Sequence, residues 1–167
     1  MQTDPDKMCI RDRSQTDMMK ALGGTPVAMA MGDVYTALQT GIIDGTENNE
    51  TALTTGMHGE ICKFYSVDQH TMIPDVLVIA TDTWEKLSQE DRQILIDAAG
   101  ESTRNHIEKW EQAVAEAVET ATNDMGVTFI EDVDKDAFRS ATADMIESYK
   151  AQYPKVGDVL DIIDSVE

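Results

Sequence analysis

The chain is 167 residues long, 41% hydrophobic and 27% charged, which suits one packed domain or one large piece of a two-lobed protein. Its 32 acidic and 13 basic side chains leave a net charge of −19, and such a surface repels phosphate backbones and anionic lipids, so no nucleic-acid partner is expected. No apolar run is longer than the five residues of VLVIA at 76–80, far short of the ~20 residues of a membrane-spanning helix, so no direct membrane insertion is expected either.

The N-terminal MQTDPDK is polar and carries no apolar secretory stretch. A first helix is predicted from Ser14 or Thr16, with Met18, Met19 and Leu22 inward, and Gly23-Gly24 stops it. Residues 26–30 predict a short strand. In a second helix Asp33 is the expected N-cap, Val34, Tyr35 and Leu38 face inward, and Gly41 lies just past the end. Ile42 and Ile43 predict a short buried strand closed by the turn pair Asp44-Gly45. A helix over residues 50–57 follows, shortened by Gly56 and Gly59.

The apolar run at 76–80 predicts a central strand buried on both faces. Ser88 then opens a long helix, with Asp91 in the reciprocal capping position. Its apolar stripe is Ile107, Trp110, Val114, Ala117, Val118, Ala121 and Met125. If Gly100 does not break it, residues 88–125 span about 57 Å at roughly 1.5 Å per residue, a helix that either braces two lobes or bends midway around one. A last short strand is predicted at 127–130. Asp134 caps the next helix, with Phe138, Ala141, Met145, Ile146 and Tyr149 inward, and Pro154 marks its end. Residues 156–166 predict a weakly amphipathic helix. Short strands separated by helices imply an α/β fold with a mixed or parallel sheet.

Little in the chain points to catalysis. His58, His70 and His106 lack metal-ligand spacing, and no nucleophile elbow, phosphate loop or dinucleotide fingerprint occurs. Cys9 and Cys62 form no metal or redox pair. No cofactor and no metal are expected. An enzyme built on Asp44, Glu47 and His70 would need the histidine within hydrogen-bond reach of one of those carboxylates. Binding chemistry is better served. A helix start near Gly32-Asp33 offers unpaired N–H groups that suit a carboxylate. The loop Asp44-Gly45-Thr46-Glu47-Asn48-Asn49 adds an amide that donates or accepts without charge.

The run GGTPVAMAMGDVYTALQTGIIDGTENNET at residues 23–51 resembles the DctP-type solute-binding proteins of TRAP transporters. The family block runs here from Asp33-Val34-Tyr35 through Ala37-Leu38-Gln39, Gly41 and Asp44-Gly45 to Glu47-Asn48. EICKFYSVDQH at 60–70 is similar to the family's segment crossing toward the hinge, and WEKLSQEDRQILIDAAG at 84–100 to the start of its long helix.

The resemblance implies a periplasmic-binding-protein-like (type II) α/β fold, here mainly the second lobe with a long hinge-spanning helix. It also implies a non-catalytic, periplasmic role: capture of a small carboxylate-bearing solute, such as a C4-dicarboxylate or sugar acid, for the TRAP membrane permease subunits. Asn48 is the implied carboxylate contact. Met31 falls on a pocket position where relatives often place an aromatic. The family's anchoring arginine lies on a strand before the first helix; counting back from Gly23 reaches Met8, and Arg11 or Arg13 fills the role only by a shifted alignment. Residues 1–13 are therefore expected to be a non-native leader, and residues 14–167 an amino-terminally truncated binding protein that binds weakly or not at all. The competing expectation is an acidic α/β interaction domain without a small ligand.

Overall fold

The computed structural model describes residues 7–10 and 13–166. Its first sheet is all parallel: β1 (Lys7–Ile10) lies between β2 (Thr25–Ala28) and β3 (Gly45–Thr46). Lys7 pairs with Thr25 and Ile10 with Ala28 on one side, and Met8 with Gly45 and Cys9 with Thr46 on the other. Parallel strands need crossovers, and helices α1 (Arg13–Ala21) and α2 (Met31–Gln39) follow β1 and β2.

Most of the apolar positions expected inward on α1 and α2 are buried. Met18, Met19, Val34 and Leu38 are buried, whereas Leu22 and Tyr35 stay half-exposed. The N-cap of α2 is Ala30, in extended conformation with no side-chain bond, and Asp33 sits inside the first turn. The helix thus starts earlier than a cap at Asp33 would place it, because the extended chain leaving β2 turns directly into it. Gly41, at φ +69°, takes the left-handed conformation that ends the helix just beyond Thr40.

Ile42 and Ile43 do not form the expected strand. Ile43 is 1% exposed and joins Val34, Ala37 and Leu38 in a core cluster, while Ile42 is 56% exposed. The backbone N–H groups of both donate back to Ala37 O, so the pair belongs to the helix exit. The strand comes later, at Gly45–Thr46, where a turn was expected.

Helix α3 (Thr51–Thr55) and a short 3-10 turn at His58–Glu60 lead into β4 (Phe64–Ser66). β4 pairs in parallel with β5 (Thr128–Ile130), and the facing rings of Tyr65 and Phe129 sit 5.1 Å apart. After α4 (Thr81–Lys86) comes the long helix. α5 (Gln89–Asn123) runs unbroken through Gly100, about 53 Å at 1.5 Å per residue. Ser88 Oγ accepts from the Asp91 N–H at 3.1 Å and donates to the Asp91 carboxylate at 2.7 Å. Ala121 and Val127 pack with Leu53 of α3 in a second core cluster.

Three expectations about burial are overturned. Residues 76–80 form no strand, and their side chains are exposed, Leu77 at 81%. Ile107 and Trp110 of the α5 stripe are exposed while Ala117 and Ala121 below them are buried. In α6 (Lys135–Gln152), Ala141 and Ile146 face solvent, although Asp134 caps the helix as expected, its carboxylate accepting from the Ala137 N–H at 3.0 Å. The common reason is the absence, among the described residues, of a surface packed against those positions. Pro154 ends α6 and also starts α7 (Pro154–Asp164), using its fixed φ in the first helical turn. Tyr149 of α6 donates to the Asp17 carboxylate of α1 at 2.8 Å and so ties α6 to α1.

Candidate ligand-binding site

A parallel sheet brings the carboxyl ends of its strands to one edge, where open α/β sheets receive ligands. β2 and β3 both run parallel to β1, so the residues after Ala28 and after Thr46 meet at that edge. Met31 is the first residue of α2, and Asn48 lies two residues beyond β3. The structure brings them into contact: Asn48 Nδ2 donates to Met31 Sδ at 3.7 Å. Asn48 Oδ1 accepts from the Asn49 N–H at 3.0 Å, which fixes which end of the amide faces Met31. A thioether is a weak acceptor, so a stronger acceptor arriving at that edge can take the Nδ2–H groups over.

The loop is also held from behind. Tyr65 on β4 donates its hydroxyl to Asn48 O at 3.0 Å. The phenol is pushed up to about 12, first by burial and then by the carboxylates of Glu50, Asp68 and Glu47 around it. It therefore remains a donor at any physiological pH. Beyond β4, His70 Nδ1 lies 2.7 Å from Asp68 Oδ1, and His70 Nε2 faces Glu47 Oε2 at 3.6 Å. The hydrogen bond to Asp68 and the proximity of Glu47 outweigh burial and raise the imidazole to about 9. Burial alone would raise the Asp68 carboxyl, but its bonds to the His70 ring and N–H, with the ring's charge, bring it below the usual range.

The sequence paired His70 with Glu47 for an enzyme reading. They are brought together, yet the 3.6 Å gap lies beyond hydrogen-bond reach, and Glu47 contacts an imidazolium, not a base. What the sequence missed is Asp68, which holds that imidazole; its place two residues before His70 was the available signal. Arg11 lies outside the described residues, and so does the side chain of Arg13, whose backbone opens α1. His106 is exposed, stacked beside Trp110, while His58 is buried, with its pKa lowered by that burial. A shallow concavity of about 260 Å³ is lined by Ile79, Thr81 and Trp84, away in sequence from Met31 and Asn48. Among the described residues no group of acidic, histidine and cysteine side chains is arranged to hold a metal ion, and no helix is long and apolar enough to cross a membrane.

Residues 7–152 match the bacterial extracellular solute-binding proteins of family 7 (DctP). The chain is 40% identical over 132 residues to YiiZ of Salmonella typhimurium, covering 79% of this chain and 40% of that protein. It superimposes with a TM-score of 0.91, at 29% identity, on a TRAP periplasmic solute-binding protein of Chromohalobacter salexigens solved with bound D-glucuronate, covering 99% of this chain and 55% of that one. A TRAP periplasmic solute-binding protein from Anaerococcus prevotii, also with bound D-glucuronate, matches at 37% identity and a TM-score of 0.85, covering 98% and 53%. The chain thus spans about half the length of the solved relatives and less than half that of the curated one. The fold is that of the periplasmic solute-binding proteins.

Proposed function

The chain belongs to the bacterial extracellular solute-binding proteins of family 7, and on that premise we propose that it serves as the extracytoplasmic binding component of a TRAP transporter. It captures a small carboxylate-bearing solute and delivers it to the membrane permease subunits. Hexuronates are the first candidates, since the superimposable proteins of C. salexigens and A. prevotii hold D-glucuronate. The observation that carries the assignment is the contact between Asn48 Nδ2 and Met31 Sδ at the carboxyl edge of the parallel sheet. It places a neutral donor beside an apolar surface, which is how a small acid is oriented and partly dried.

In this reading Met31 and Asn48 form one wall of the pocket, with Asn48 donating to a carboxylate or accepting from a hydroxyl. Asn48 then contributes a hydrogen bond to a charged group, worth about 1.5–3 kcal/mol. One wall supplies few contacts, so affinity in the millimolar range is expected, on the order of −4 kcal/mol.

Titrating D-glucuronate into the isotope-labelled chain tests this by NMR. The Met31 methyl and Asn48 side-chain amide are expected to shift saturably, D-glucose to leave them still, and Asn48→Asp to weaken the response about tenfold or more. Equal shifts with glucose, or shifts confined to other residues, would overturn the assignment of the site.

A further inference from the structure

We propose that His70 is a positioning residue that clamps the loop carrying Asn48 to the exit of β4, so that the pocket wall is set by a partly buried charge cluster and not by the loop alone. The inference rests on the binding role proposed for Asn48. Neither side of the contact is local. Glu47 and Asn48 follow β3 of the first sheet, whereas Tyr65 and His70 belong to β4 and the segment leaving it, in the second sheet. Two adjacent loop residues are thus held by two groups from one segment, Asn48 O by the Tyr65 hydroxyl and the Glu47 carboxylate by the His70 ring.

The proton inventory of the ring explains why a charge is needed. A neutral imidazole has one N–H. If Nδ1 donates to Asp68 at 2.7 Å, the bare lone pair of Nε2 points toward Glu47, a carboxylate 3.6 Å away. Two acceptors then face one another, and among the described residues the buried Nε2 has no hydrogen-bond partner. Only the imidazolium presents a proton to each carboxylate. The backbone is bent to achieve this. Gln69, between Asp68 and His70, sits at φ +53°, a left-handed conformation uncommon for a residue with a side chain. Its amide oxygen accepts from Lys135 at 2.6 Å, which fixes the bend from the side of α6.

The groups around the ring are acidic on both packing elements: Glu47 from the loop after β3, and Asp68 from the ring's own segment. Glu50 at the start of α3 adds to the negative field felt at Tyr65. A histidine raised from 6.5 to about 9 contributes stability that is complete below pH 6.5. That contribution fades between pH 6.5 and 9. The clamp is therefore closed at neutral pH and opens in alkali.

Ligand-free NMR of the whole chain from pH 6 to 10 tests the clamp, following the carbon-bound protons of the His70 ring and the methyl of Met31, which touches Asn48. The ring is expected to titrate near pH 9, and the Met31 methyl to move with the same midpoint. Glu47→Gln lowers that midpoint and Asp68→Asn lowers it further, because the Asp68 contact is the shorter. His70→Gln abolishes the methyl step. A ring midpoint at the ordinary value near 6.5, a Met31 methyl indifferent to it, or a step that survives His70→Gln would each overturn the proposal. If the methyl follows the ring but ignores D-glucuronate at pH 7, the clamp stands and the binding role of the loop fails.

Discussion

Residues 31–66, with residues 113–121 of α5, bury or half-bury most of what is apolar in them, whereas residues 71–110 leave most of theirs in solvent. The two regions have similar raw material. Val34, Ile43 and Leu53 on one side and Val76, Leu77, Ile79 and Ile107 on the other are the same kinds of side chain. They differ in what stands opposite. Val34 and Ile43 meet Ala37, Leu38, Val27 and Ile61, and Leu53 meets Ala121 and Val127. The run at 76–80 meets no second strand among the described residues, since the strands pair as β2-β1-β3 and β4-β5. Even one helix shows the division. Around Ala117 and Ala121, α5 lies against α3, while Ile94, Ile96 and Ile107 are exposed. Periodicity marks which face of a helix is able to be buried; a neighbour decides whether it is.

The sharpest test of this contrast is a pair of truncations. Ile43→Ala, in the packed region, is expected to cost about 2–5 kcal/mol by urea unfolding, through lost burial and the cavity left behind. Leu77→Ala is expected to stay within about 0.5 kcal/mol, as for a surface change. Equal costs would show that the 76–80 run is packed in solution and would erase the distinction.

An acid-side test concerns His58, buried in the packed region with its pKa lowered by that burial. A histidine held neutral stabilises above its unfolded value of about 6.5 and loses that contribution as pH falls below it. The unfolding midpoint is therefore expected to drop from pH 7 to 5 in the wild type, and to drop less in His58→Leu, as followed by circular dichroism. A pH dependence identical in the two proteins would place the acid-sensitive group elsewhere.

The smallest effect is expected at the start of α5, in the exposed region. Ser88→Ala removes the acceptor for the Asp91 N–H and should cost about 1 kcal/mol. Hydrogen exchange should locate the loss in the first turns of α5, leaving the turns around Ala121 protected. A loss spread evenly over the helix would mean that its two halves unfold as one unit.

Several features were legible in the sequence because their causes are local. The caps at Ser88 and Asp134 and the helix end at Gly41 depend on residues within one or two turns, and each forms as read, whereas the continuity of α5 through Gly100 was left open by the sequence. The family block from Asp33 to Asn48 was legible for a different reason: residue types at fixed spacing identify a relative without any folding argument. The missed features depend on pairing. The strand expected at Ile42-Ile43 appears instead at Gly45–Thr46, because the N–H groups of both isoleucines are spent on the end of α2.

The sequence by itself determined the capped starts of α5 and α6, the end of α2, the acidic surface and the family, all consequences of short-range hydrogen bonding, charge and residue order. Tertiary structure alone decided that Met31 touches Asn48, that Glu47 faces His70 across two sheets, and that the most strand-like run in the chain lies exposed. Those outcomes depend on groups 17, 23 or more positions apart meeting in space. No local propensity carries that information, because the free energy of a contact exists only once both partners are in place.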